Sequence, residues 1–344
     1  MKFILLFNKQ KLLILLISIC YNLHLNSQEA LGIVPVDNSF NIESEYQKQL
    51  KSYPNIEVAN VGDSAGMIIH RNLVYTQHGQ RSLHADVIYL KTPSQRPLPV
   101  IIFIHGGGWR SGNKSMEHPL AFEMARRGYA SVCVEYRLSI EAQYPAAVQD
   151  IIKAIKWVKY NPLELPFDTE MIILEGTSAG AQIASLIGSI NGTKELFDTD
   201  IYPGYSSSVQ AVINIDGVVA FIHPDSSEGV DKPGKPSAAS LWFGTTISEN
   251  SAPFLEASAI NHVNQSSAPV LFVNSSIPRF SAGRDDMIKI MDNYGISSRV
   301  HQHQDSMHTF WLFHPWFYTT ANWIDSFLRE KILTNYNDCK KANK

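Results

Sequence analysis

Cysteine is scarce in this chain. Its 344 residues hold three, Cys20, Cys133 and Cys339, too few and too differently placed for a disulfide framework. Cys133 sits inside the apolar run YASVCVEY and has the setting of a small core residue, whereas Cys339 lies in a polar tail. An excess of one charge sign is also missing. The formal net charge is -3, which argues against nucleic acid or an anionic membrane as a partner. No repeat, charge block or low-complexity tract marks a linker, so one large domain that stabilises itself through its core is expected. An apolar run long enough to span a membrane is lacking too. The run LLILLISIC (12–20) is short for a span. Preceded by Lys2, Lys9 and Lys11 and followed by the polar YNLHLNSQEA, it has the form of a secretory signal peptide. No A-x-A site is present, and cleavage is placed near Ser27–Gln28. The expected organisation is a signal peptide over 1–27, a polar, partly ordered lead-in over 28–60 and one domain over 61–335, secreted or periplasmic, with no membrane span in the mature chain. Lipid anchoring through Cys20 is disfavoured by the bulk of Ile19 before it.

From residue 61 onward, short apolar runs alternate with amphipathic ones. MIIHRNLVYT (67–76) and HADVIYLK (84–91) predict two strands joined by a turn at QHGQRS. PVIIFIH (99–105), YASVCVEY, MIILEG (171–176), VQAVINIDG (209–217), APVLFVNSS (268–276) and SRVHQHQ (298–304) supply six more. Continuous apolar strands are those of a sheet buried on both faces. Helices are expected over 116–128, 144–161, 179–190, 285–294 and 316–330. This βα alternation predicts an α/β fold with a mostly parallel sheet and helices on both faces. Residues 222–264 break the rhythm with Pro, Gly and Ser, as an insertion over the C-terminal edge of the sheet would.

Gly176-Thr177-Ser178-Ala179-Gly180 lies where a predicted strand runs directly into a predicted helix. That is the G-x-S-x-G pattern of a nucleophile held in strained backbone, whose close-packed neighbours must lack side chains. The plainer reading is a tight β-to-α turn with a serine cap. A second motif decides between them. His105-Gly106-Gly107-Gly108 follows the buried strand at 99–105, the position at which esterases place the glycines of an oxyanion hole. Gly107 and Gly108 are the expected donors, with Ala179 completing the hole, and His105 is expected to hold the loop. Trp109 and Arg110 project beside the hole as candidate substrate contacts.

A base should come late in the chain, after the last strand. Of His301, His303, His308 and His314, His308 has the loop position from which an imidazole reaches the serine. The acid should follow the strand VLFVNSS, where IPRFSAGRDD offers Asp285 and Asp286. Asp285 is favoured over Asp286, and both equally suit the first turn of a helix. Asp216, ending the strand NIDG, is the fallback. Trp109, Trp242 and Trp311 could stack on sugar rings, and Arg279 and Arg284 could meet an acidic sugar. For most of Trp311, Phe313, Trp316 and Phe317, packing of the last helix on the sheet is the expected role.

The order HGGGW, Tyr136-Arg137, G-T-S-A-G and a late histidine resembles the α/β-hydrolase superfamily. Within it, the chain is similar to bacterial carbohydrate esterases of the hormone-sensitive-lipase and acetyl-xylan/feruloyl-esterase-like group. The resemblance covers roughly residues 65–330. It implies an α/β-hydrolase fold with an eight-stranded sheet, a Ser-His-Asp triad without cofactor or metal, and a small-molecule or oligosaccharide ester as substrate. The acid loop departs from the group, with VNSSIPRFSAGRDD in place of its usual HG-x-x-D-x-x-V-P. The expectation is an exported serine esterase that deacetylates plant-type polysaccharides. Its rivals are a feruloyl esterase or peptidase on the same fold, and an inactive carbohydrate-binding homologue.

Overall fold

The structure is a computed structural model that describes residues 37–91, 97–191, 197 and 201–333. The expected signal peptide, its cleavage site, Cys20 and Cys339 lie outside the described residues.

The chain enters through α1 (Ile42–Gln49), within the stretch expected to be only partly ordered. A capping box explains the helix: the Asn41 side chain accepts the Ser44 N–H at 2.8 Å, and Ser44 Oγ accepts the Asn41 N–H at 3.1 Å. Then come β1 (Glu57–Val58), the hairpin β2 (Met67–His78) and β3 (Arg81–Leu90), β4 (Leu98–Ile104), α2 (His118–Arg126), β5 (Ala130–Val134), α3 (Ala146–Tyr160), β6 (Phe167–Thr177) and α4 (Ala179–Ser189). The second half holds β7 (Ala211–Ile215), two short helices α5 (Ala238–Phe243) and α6 (Ala252–Glu256), β8 (Val270–Asn274), α7 (Arg284–Asn293), β9 (Ser298–Gln302), β10 (Phe313–His314) and α8 (Trp316–Phe327).

Eight strands form one sheet in the order β2-β3-β5-β4-β6-β7-β8-β9. The pairs β2–β3 and β3–β5 are antiparallel, and every pair from β5 to β9 is parallel. The apolar runs are central strands because each face meets its own core. On one face Ile102, Ile104, Leu174 and Val212 pack with Ile151, Ile155, Ile183 and Leu186 of α3 and α4. On the other, Ile101, Phe103, Ile173 and Ile213 pack with Leu120, Met124, Phe317 and Ile324 of α2 and α8. Cys133 is a free, fully buried member of this second core.

Parallel strands bring their C-terminal ends to one edge of the sheet. β4, β6 and β7 are consecutive neighbours there, so the loops carrying Gly106–Gly108, Ser178 and Asp216 converge by topology alone. β1 pairs antiparallel with β10, which ties the entering segment to the loop beyond β9.

Candidate active site

Ser178 sits between β6 and α4 with φ +52° and ψ −115°, a conformation that costs on the order of 1–3 kcal/mol and persists only where its surroundings enforce it. The enforcement is close packing. A Cβ on Gly180 would lie 2.0 Å from the Ile104 carbonyl oxygen, and one on Gly176 would lie 2.3 Å from the Gly180 carbonyl oxygen. Glycine at both places lets α4 press against the ends of β4 and β6. The Ser178 N–H donates to the Ile215 carbonyl at 2.8 Å, fixing the elbow to β7 as well.

The Ser178 hydroxyl is 2.8 Å from His308 Nε2. His308 stands in the loop after β9, and its Nδ1 lies 2.9 Å from Asp216 Oδ2. Asp216 follows β7 directly, is buried, and has φ +54°. Its other oxygen, Oδ1, accepts the Ser275 N–H at 2.7 Å and the Asn274 side-chain N–H at 3.3 Å. Arg284 in turn donates to Asn274 Oδ1 at 2.8 Å. A single chain of hydrogen bonds thus runs from Arg284 through Asn274, Asp216 and His308 to Ser178.

Neither Asp285 nor Asp286 belongs to that chain, which corrects the expectation for the carboxylate behind His308. Both lie in the first turn of α7 with exposed side chains. Asp285 accepts from Arg284 at 2.7 Å and Asp286 from Lys289 at 2.8 Å, and these cations hold both carboxyls below their ordinary range. Their setting is that of helix N-terminal acids. The β8 loop contributes a ring instead of an acid. Phe280 stacks on the His308 imidazole with centroids 3.4 Å apart and planes 7° apart, and carries the Arg279 guanidinium over its own ring at 4.2 Å.

The glycine loop lies opposite. Gly107 and Gly108 have φ of +119° and +60°, and a Cβ on Gly107 would fall 2.1 Å from the Ser111 carbonyl oxygen. Among the described residues, the N–H groups of Gly107, Gly108 and Ala179 have no hydrogen-bond acceptor. All three residues line the cavity that holds Ser178 and His308, whose volume is about 990 Å³. His105 is buried beneath them, stacked on Tyr136 at 4.4 Å and with Nδ1 2.8 Å from the Gly106 carbonyl. Burial holds it neutral, its pKa lowered to about 4.

The expected aromatic and arginine contacts divide. Trp109 continues the positive-φ turn at +59°, which drives its indole into the core. There it stacks on Trp242 at 4.9 Å and donates to Gln182 at 3.1 Å, and the residue, 3% exposed, still borders the cavity. Trp242 is fully buried and offers no face to a sugar. Trp311 is buried behind the imidazole, edge-on to His308 at 5.3 Å, and supports that ring instead of lining the cavity. Arg110 pairs with Asp37 at 2.7 Å and lies outside the cavity wall. Arg279 does line it, 3.5 Å from Glu228. His301 and His303 pack on Trp323, and His314 packs on Phe317 and Tyr318.

Two buried carboxyls behind the elbow escaped the sequence reading. Glu117 accepts the Thr177 hydroxyl at 2.8 Å, and burial raises its pKa to about 8. Glu175, on β6, is also fully buried, and burial together with the neighbouring Glu117 pushes it well above the usual carboxylate range. A glutamate inside the run MIILEG was the one available signal. Among the described residues, no group of His, Cys, Asp and Glu is arranged to hold a metal ion. No described helix is long and apolar enough to cross a membrane.

The family model BD-FAE matches residues 86–278, more than half of the chain, from within β3 through the glycine loop, Ser178 and Asp216. The chain belongs to the BD-FAE family. Esterase LipC of Mycobacterium tuberculosis is 26% identical to this BD-FAE chain over 222 residues, covering 61% of the chain and 53% of that protein. The chain spans between 40% and 53% of the length of LipC and two further curated Mycobacterium tuberculosis relatives that it matches. Among solved structures, a truncated carbohydrate esterase from gut microbiota has a TM-score of 0.59 at 21% identity, over 68% of this chain and 87% of that one. Esterase 2 of Thermogutta terrifontis, solved with butyrate bound, has a TM-score of 0.63 at 20% identity, over 78% and 95%. These likenesses give the BD-FAE chain the α/β-hydrolase fold.

Proposed function

We propose that this protein is a serine carboxylesterase that removes acetyl groups from plant-type polysaccharide or oligosaccharide fragments. The observation that carries the esterase reading is the unbroken pair of contacts at His308, 2.8 Å to Ser178 Oγ and 2.9 Å to Asp216. With the ester carbonyl over Ser178, Oγ attacks the carbonyl carbon while its proton passes to His308 Nε2. Asp216 holds Nδ1 protonated and offsets the charge of the imidazolium. The carbonyl oxygen gains a negative charge facing the free N–H groups of Gly107, Gly108 and Ala179. Collapse breaks the bond to the alcohol oxygen, which takes the proton from Nε2. Water then gives a proton to the same nitrogen, attacks the acyl carbon and releases the acid and Ser178.

Carbohydrate esters as substrates are supported by the roomy cavity, whose wall carries Glu45, Lys48, Gln49, Ser52 and Arg279, and by the gut-microbial carbohydrate esterase that shares the fold. Export belongs to the same reading, on the basic start and apolar run of residues 1–27. Hydrolysis of p-nitrophenyl acetate by wild type and Ser178→Ala tests the chemistry. A loss of about 10⁵-fold in kcat is expected, and retained activity in that variant ends the assignment. Acetate release from acetylated xylans and pectins, compared with feruloyl esters and aminoacyl amides, tests the substrate.

A further inference from the structure

One wall of the cavity comes from outside the region that the family model matches. α1 and the turn after it precede residue 86. They are nevertheless fixed firmly to the rim. Tyr46 packs on Phe313 at 6.1 Å, Tyr53 meets Trp316 edge-on at 5.5 Å, and the Ala59 N–H donates to the Leu312 carbonyl at 2.8 Å. From this seat Glu45, Lys48, Gln49, Ser52 and Tyr53 face the same space as Ser178 and His308.

The chemistry of the triad says which half of the ester lies there. His308 Nε2 must pass its proton to the departing alcohol oxygen, so the alcohol half stands on the His308 side, while the oxyanion donors hold the carbonyl oxygen across from it. Thr309 is the next residue, and its hydroxyl donates to Glu45 Oε2 at 3.3 Å. α1 therefore borders the alcohol half. Glu45 is only 6% exposed, and its carboxylate also accepts from Lys48 at 2.9 Å and from the Gln49 amide at 3.2 Å. With three donors on it, Glu45 orients the side chains around it. The Gln49 amide oxygen, the Lys48 ammonium and the Ser52 hydroxyl remain to face a ligand. An apolar alcohol would strip water from these groups without replacing its hydrogen bonds. A ring bearing several hydroxyls replaces them.

We propose that α1 is the alcohol-side subsite and takes a pyranose unit, with Gln49, Lys48 and Ser52 bonding its hydroxyls and Tyr53 facing the ring. This rests on the carbohydrate-ester reading above. The test compares KM for an acetylated xylo-oligosaccharide, followed by acetate release, with KM for p-nitrophenyl acetate. Gln49→Ala should raise the ratio of the first KM to the second about fivefold, the size of one lost hydrogen bond, and Gln49→Ala/Ser52→Ala should raise it further. Gln49→Asn, which keeps the amide but shortens it, gives a second reading if the alanine variant fails to fold. Gln47→Ala, on the solvent side of α1 where Gln47 bonds Glu43 at 2.9 Å, should leave the ratio unchanged. A ratio unmoved in every variant, while wild type deacetylates the oligosaccharide, overturns the subsite alone. Wild type that cleaves p-nitrophenyl acetate but no sugar ester overturns the carbohydrate reading, and the subsite with it.

Discussion

Replacing Asp216 with asparagine separates the role of its charge from that of its shape. The backbone at φ +54° suits asparagine as well as aspartate. The new amide can face only one way. Its oxygen must stay toward the Ser275 N–H, now 2.7 Å from Oδ1, because the reverse would set an NH₂ against that donor. The NH₂ then faces His308 Nδ1, the position now 2.9 Å from Oδ2. A donor there forces Nδ1 to accept and leaves the proton on Nε2, where it can no longer take one from Ser178. Loss of the correct tautomer lowers kcat by about 10³ to 10⁴-fold with the geometry intact. Stopped-flow or steady-state turnover of p-nitrophenyl acetate reads the loss, and a thermal melt checks the fold. Asp285→Asn and Asp286→Asn, on exposed side chains in the first turn of α7, should each stay within about twofold of wild type. Asp216→Asn retaining more than about a tenth of wild-type kcat, or Asp285→Asn matching its loss, would refute the reasoning.

Stability should also depend on pH through the buried acids. Burial lifts Glu117 from the ordinary 4.5 to about 8, so its contribution is complete below 4.5 and lost as pH rises toward 8. In that window the slope is roughly 1.4 kcal/mol per pH unit for one proton. The melting temperature should fall between pH 5 and 8 and fall less in Glu117→Gln; an identical pH dependence in that variant would show that Glu117 does not titrate there. Gly107→Ala places a methyl 2.1 Å from the Ser111 carbonyl oxygen. The loop must shift, so kcat should drop about 10²- to 10³-fold, the effect of a lost oxyanion donor, with KM for p-nitrophenyl acetate changing much less. Arg137 grips the fully buried Asp150 through bonds of 2.8 and 2.9 Å. Arg137→Ala should destabilise the fold by about 3 kcal/mol in denaturant titration, and an unchanged midpoint would contradict that pairing.

Much of the sheet was legible because its central strands are buried on both faces. Runs such as VIIFI and MIIL admit few other readings, and all eight predicted strands are present within a few residues. The meeting of Ser178 with His308 was legible for a different reason. Close packing at Gly176 and Gly180 leaves a spacing signature, and a loop after the last strand is where a base must stand. The carboxylate behind His308 was harder because two arrangements share one sequence pattern. Asp285 and Asp286 look as suitable in a loop as they do in a helix's first turn, and only the path of the chain separates them. Asp216 did leave a trace, a carboxylate at the end of the apolar run AVINI with nothing local to pair it. The tryptophans misled because residue type does not report direction. The positive φ at Trp109 turns the ring inward, and no propensity predicts that for tryptophan. α1 was missed because its eight residues are mostly polar, and what orders them is the distant Phe313 and Thr309.

Covalent trapping tests the central claim most directly. The full chain, treated with a fluorophosphonate and digested, should show by mass spectrometry one stoichiometric adduct on the peptide bearing Ser178. The adduct should be absent in Ser178→Ala and slow to form in Asp216→Asn. No adduct on the folded wild-type protein, or one on another residue, would contradict the reading of Ser178 as the nucleophile.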